Sequence, residues 1–177
     1  MLLTKIFRVR INMPDSNKIL IYTDGSALGN PGPGGYGIVM KTADGQLQKS
    51  FSKGFKLTTN NRMELMAVID ALKKIKDKSL PVEIYSDSKY VVDAIRQGWV
   101  HKWKANRFAK AKNPDLWHEF LKASKGINYQ IFWVKGHNNH PENETCDKLA
   151  VTAAQKKPVH EDTGYEQILK NKDNKLF

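Results

Sequence analysis

The hydrophobic pattern changes its period once, near residue 60, and that change restricts the fold more than any other feature of the chain. Before it, three runs rich in apolar and β-branched residues read as strands: 18–23 (KILIYT), 36–41 (YGIVMK) and 48–55. Gly, Pro and Asp-Gly signals separate them, including Ala43-Asp44-Gly45, so these strands should run antiparallel. After it, Leu65, Val68, Ile69, Leu72 and Ile75 recur at helical spacing. Thr58, Thr59, Asn60 and Asn61 supply capping residues for this helix, and Pro81 follows it. Residues 82–86 read as a strand, 88–97 as a short helix closed by Gly98, and 114–123 as a helix. Residues 129–134 read as a strand and 141–154 as a helix with Pro141 at its start. The order predicts an α/β fold: a five-stranded mixed sheet flanked by helices, with the first three strands antiparallel and the last two parallel. Residues 1–17 read as an N-terminal extension and 18–155 as one domain. Periodicity fades after Lys156, so 156–177 is expected to be a peripheral tail.

A chain of 177 residues has room for one substantial core. Its net charge of +11 favours polyanionic partners, although a basic surface also serves solubility. The single cysteine, Cys146, excludes an intrachain disulfide, and its apolar neighbours suggest a helix core position. No apolar run approaches a membrane span, and residues 1–10 alternate rather than forming the apolar stretch of a secretory leader. A cytoplasmic, membrane-free protein is the expectation.

Four carboxylates stand out by position. Asp24 and Asp87 each end a predicted strand, where ligand sites gather in open α/β sheets. Glu64 lies near the start of the long helix, and Asp147 lies on the last helix beside Cys146. Each also has a structural reading: Asp after a strand often caps a turn, Asn61-x-x-Glu64 resembles a capping box, and Asp147 could face solvent. Together they could converge if the elements pack as one sheet with helices on it. Such a cluster is costly without a cation, and Mg²⁺ takes oxygen ligands of this kind. Gly32-Pro33-Gly34-Gly35-Tyr36-Gly37 formally fits GxGxxG, but a strand follows it rather than a helix, so it is no dinucleotide fingerprint. These glycines are expected to let the backbone approach a nucleic acid. His137 and His140 lack the further His or Cys ligands of a zinc site.

From about Lys18 to Glu166 the chain resembles the bacterial type 1 ribonuclease H family. The resemblance rests on Tyr22-Thr23-Asp24-Gly25-Ser26, Gly29-Asn30-Pro31-Gly32, Thr58-Thr59-Asn60-Asn61-Arg62-Met63-Glu64-Leu65, Tyr85-Ser86-Asp87-Ser88, Trp133-Val134-Lys135-Gly136-His137 and Pro141-Glu142-Asn143-Glu144-Thr145-Cys146-Asp147. It implies endonucleolytic cutting of the RNA strand of RNA–DNA hybrids by two-metal catalysis, leaving 5′-phosphate and 3′-hydroxyl ends. It implies that Asp24 bridges two Mg²⁺ ions, with Mn²⁺ a possible substitute, that Glu64 and Asp87 hold one ion, and that Asp147 holds the other. His137 would lie in a mobile loop that helps proton transfer or product release. Gly25 and Asn30 would read RNA 2′-hydroxyls. Thr59, Asn60, Asn61 and Asn113 would hold substrate backbone, and Lys89 would lie near the substrate. A monomer is implied.

The segment 96–112 carries Arg96, Lys102, Lys104, Arg107, Lys110 and Lys112 with no acid, and interleaves Trp99, Trp103 and Phe108. Charges and aromatics mixed in this way suit phosphate contacts without base readout. The structural alternative is a helix face whose tryptophans pack on the core. Two other readings of the whole chain remain: a non-catalytic hybrid-binding module of the same fold, or another nuclease such as a 3′–5′ exonuclease or an integrase. An exonuclease usually pairs its first-strand acids as Asp-x-Glu, whereas Gly25-Ser26 follows Asp24 here.

Overall fold

The computed structural model describes residues 17–136 and 140–173. The elements run β1 (Ile19–Ala27), β2 (Gly32–Thr42), β3 (Gln48–Thr58), α1 (Asn60–Lys73), β4 (Val82–Ser86), α2 (Lys89–Arg96), α3 (Trp99–Ala105), α4 (Pro114–Ala123), β5 (Tyr129–Trp133), α5 (Pro141–Gln155) and α6 (Thr163–Asp173). The strands form one sheet in the order β3-β2-β1-β4-β5. The β1–β2 and β2–β3 pairs are antiparallel, and the β1–β4 and β4–β5 pairs are parallel. This is the predicted mixed sheet.

The central helix α1 is apolar over most of its surface because it is enclosed. Met63, Leu65, Ala67, Val68, Ala71 and Leu72 are buried against β1 and β2 on one side and α4 on another. Ile21, Ile38 and Ile84 supply the sheet side of this core, and each such side chain contributes about 1.5–3 kcal/mol by leaving water. Helix α5 covers the opposite face through small residues. A Cβ on Gly37 would lie 2.2 Å from the Cys146 carbonyl oxygen, and one on Gly35 would lie 2.6 Å from that of Ala150. Gly35 and Gly37 therefore serve helix–sheet packing; α5 fills the space expected for a nucleic acid.

Three local expectations are corrected. Strand β1 does not stop before Asp24 but continues to Ala27, with Asp24 paired to Gly37 of β2. Glu64 is no capping-box residue: Thr59 is the N-cap of α1, and Glu64 is buried. Residues beyond 156 include α6 and a buried Asp162, and His160 forms a bridge to Phe55 of β3. That segment is docked rather than peripheral. Residues 1–16 lie outside the described region.

Candidate active site

Parallel pairing of β1 with β4 ends at Thr23 and Ser86. Asp24 and Asp87 are the next residues on these two strands, so backbone pairing brings them side by side. Glu64 joins them from α1 because residue 25 is glycine: a Cβ there would lie 2.2 Å from the Glu64 backbone nitrogen. One carboxylate oxygen from each of Asp24, Glu64 and Asp87 lies within 4.8 Å of the other two. Burial raises the Asp24 carboxyl to about 8, and the charge of Asp87 adds to the rise, against a 2.7 Å hydrogen bond donated by the Gly25 N–H. Burial also pushes Glu64 well above the usual carboxylate range, reinforced by the charges of Asp24 and Asp87. Glu64 Oε1 accepts one long hydrogen bond, 3.5 Å from Asn60 Nδ2. Its Oε2 is buried with no hydrogen-bond partner among the described residues. A hard divalent cation fits this set: it matches all-oxygen donors and offsets the repulsion that adds to the rise of both carboxyls.

Asp147 occupies a different position. On α5, the Cys146 thiol donates a 3.2 Å hydrogen bond to the Tyr22 carbonyl and fixes the helix against β1. The adjacent Asp147 is half-buried and near enough for its charge to raise Asp24, but it lies outside the three-carboxylate cluster. His137 lies outside the described residues. The chain leading to it passes Asp87 closely, since a Cβ on Gly136 would lie 2.6 Å from Asp87 Oδ2. Trp133 donates from Nε1 to the Asp87 carbonyl at 2.9 Å, and Lys89 Nζ lies 5.1 Å from the Trp133 ring centre.

Beside the carboxylates, Asn30, Thr59, Asn61 and Asn113 line a cleft of about 460 Å³. Asn30 Oδ1 accepts from the Asn60 backbone N–H at 3.1 Å, which ties the β1–β2 connection to the start of α1. Asn113, the N-cap of α4, donates from Nδ2 to the Tyr90 hydroxyl at 3.2 Å. Three of the residues expected to hold substrate backbone, Thr59, Asn61 and Asn113, thus share one cleft with Asn30, expected to read RNA 2′-hydroxyls. Gly25 is packed against α1, with its N–H engaged by Asp24.

A family profile described as RNase H matches residues 16–155. The chain belongs to the RNase H family. The Ribonuclease H of Trichodesmium erythraeum is 49% identical over 154 residues, covering 84% of this chain and 96% of the relative. That of Desulforamulus reducens is 52% identical over 142 residues, covering 77% and 87%. Among solved structures, LC9-RNase H1, described as a type 1 RNase H with the type 2 active-site motif, matches with a TM-score of 0.70 and 33% identity over 86% of this chain and 81% of that one. LC11-RNase H1, solved in complex with an RNA/DNA hybrid, matches with a TM-score of 0.59 and 29% identity over 78% of this chain and 98% of that one.

In this RNase H the basic segment starts at Arg96, the last residue of α2, and continues through α3. Lys102 and Lys104 are exposed, and Trp99 is 41% exposed. Trp103 instead packs on the buried Trp117, with ring centres 5.6 Å apart, so the core-packing alternative describes this tryptophan but not Trp99. None of these four residues lines the 460 Å³ cleft.

Sequence reasoning missed Arg62. Its guanidinium is fully buried and reaches two carboxylates: Nε and Nη2 donate to Asp162 at 2.7 and 2.8 Å, and Nη1 and Nη2 donate to Asp115 at 3.0 and 2.6 Å. It stands two residues before Glu64, so it anchors the stretch of α1 that carries the site. A cation in the first turn of a helix opposes the helix dipole, and that was the available signal of a specific partner.

Proposed function

We propose that this RNase H is an endonuclease that hydrolyses the RNA strand of RNA–DNA hybrids without reading base sequence, leaving 5′-phosphate and 3′-hydroxyl ends. The observation that carries the reading is the convergence of Asp24, Glu64 and Asp87 within 4.8 Å, with two of the three buried. Asp24, Glu64, Asp87 and Asp147 would together hold two Mg²⁺ ions, with Mn²⁺ a possible substitute. Bound magnesium supplies the positive charge that lets these carboxylates ionise together and stabilises the charge developing on the phosphodiester.

The protein's own groups do the rest. Without a cation, burial and the neighbouring charges disfavour the ionised forms of Asp24 and Glu64, and a bound cation would favour them. Backbone pairing of β1 with β4 holds Asp24 and Asp87 in place before substrate arrives, which limits reorganisation during reaction. Thr59, Asn60, Asn61 and Asn113 hold the hybrid backbone, the backbone near Gly25 and the side chain of Asn30 read RNA 2′-hydroxyls, and Lys89 lies beside the substrate near Asp87. Trp99, Lys102 and Lys104 of α3 add affinity by charge and stacking, while Trp103 holds α3 on the core. His137 assists proton transfer or product release. The protein acts as a monomer in the cytoplasm; among the described residues no helix is long and apolar enough to cross a membrane.

The test is Mg²⁺-dependent cleavage of a hybrid blocked at both ends. The wild type should cut internally, and Asp24→Asn should lower kcat by about 10²-fold or more. Unchanged turnover in the variant would falsify the site.

A further inference from the structure

We propose that α6 is a wall of the hybrid-binding groove and contacts the DNA strand through Ile168. This rests on the function proposed above but concerns residues beyond the 16–155 stretch matched by the RNase H profile. The cleft that gathers Asn30, Thr59, Asn61 and Asn113 is completed by Tyr165 and Ile168 of α6. Ile168 is half-buried, yet it belongs neither to the hydrophobic core nor to the partly buried side chains packed on it. Ile168 thus presents apolar surface to the cleft that it lines.

The seat of α6 is fixed by buried contacts. Asp162, one residue before the helix, accepts two hydrogen bonds from Arg62 and a third, 3.1 Å long, from the Tyr165 N–H. The Tyr165 ring lies with its centre 5.9 Å from the Arg62 guanidinium carbon. Because Arg62 lies two residues before Glu64, the same cluster sets the position of α6 relative to the carboxylate site.

The chemistry of the cleft matches the backbone of a DNA strand. Three amide side chains and a hydroxyl offer neutral donors and acceptors along one side. Lys112 lines the cleft, and the exposed Lys170 follows Ile168 on α6. Ile168 and Pro31 offer apolar surface. Against Ile168 and Pro31 a deoxyribose C2′ packs without loss, whereas a ribose hydroxyl set against these two side chains would find no partner on them. The wall thus favours the DNA strand over the RNA strand.

The test uses the full chain carrying Ile168→Asp or Ile168→Lys. Steady-state cleavage gives KM and kcat, and the same substitutions on an Asp24→Asn background give hybrid affinity without turnover. Ile168→Asp should raise KM and Kd about 10-fold, with kcat within about twofold of wild type. Ile168→Lys should lower both constants and steepen the salt dependence of binding by about one phosphate contact. If KM and Kd stay within about twofold of the parent in both variants, the inference is overturned while the proposed function stands. If both variants instead lose kcat and melting temperature at unchanged KM, α6 only braces α1, and the inference is again overturned. Absence of cleavage by the wild type with hybrid binding intact overturns the function alone, since the affinity series still reads the wall. Absence of binding by the wild type overturns both.

Discussion

Asp24 has opposite effects on folding and on chemistry. Its carboxyl sits at about 8 in the folded chain, against about 4 when unfolded. Between these values the folded state keeps a proton that the unfolded state has released, so the group's contribution to metal-free stability falls as pH rises from about 4 to about 8. Thermal melts in a chelator should show that fall, and saturating Mg²⁺ should flatten it. Asp24→Asn removes the titrating carboxyl, so at pH 8 in chelator the variant should melt above wild type although its turnover should be far lower. A wild-type advantage under those conditions would contradict the electrostatics of the cluster. Gly25 makes the complementary case. Gly25→Ala places a methyl only 2.2 Å from Glu64 N, and the three nearest atoms, from Met63 and Glu64, are all backbone. A displacement of Glu64 of about 1 Å should lower kcat by about 10²-fold, and single-turnover kinetics at saturating hybrid will read it.

At the scale of elements, strands and helices with strong local signals were legible. Pro114 and Pro141 marked the starts of α4 and α5, and Gly98, with φ of +67°, closed the turn after α2. Asp24 was harder to place, because the ladder of β1 continues through the polar Asp24-Gly25-Ser26 on pairing with β2 alone. Helix α6 was missed because its sequence, TGYEQILKNKD, carries no sustained apolar stripe. What anchors its start is the ion cluster of Asp162 with Arg62, 100 residues away, which no local pattern can show. The prediction at this scale is that Asp162→Asn costs about 3 kcal/mol, because it leaves the buried Arg62 undercompensated. Asp115→Asn should cost clearly less, since that side chain is 36% exposed and water compensates part of the loss. Urea denaturation of the two variants will rank them, and equal midpoints would contradict a buried anchor.

For the whole molecule, charge decides how substrate is gripped. With a net charge of +11, affinity for a hybrid should fall steeply with salt. Replacing Lys102 and Lys104 with Gln should reduce the slope of log affinity against log salt by about two, if each neutralises one phosphate. Fluorescence anisotropy at four or five salt concentrations measures this, and an unchanged slope would place α3 off the substrate. The carboxylates of the site were legible because motifs surround each one. The cleft was legible only as scattered asparagines and a threonine, since its shape comes from the β1–β2 connection, α1, α4 and α6 meeting in space. That meeting has a consequence for synthesis. At about 10 residues per second, Arg62 leaves the ribosome about ten seconds before Asp162. For that interval the start of α1 must wait for its buried anchor, so the nascent chain carries Glu64 on a turn that is not yet pinned, and the site is completed only after Asp162 has been made.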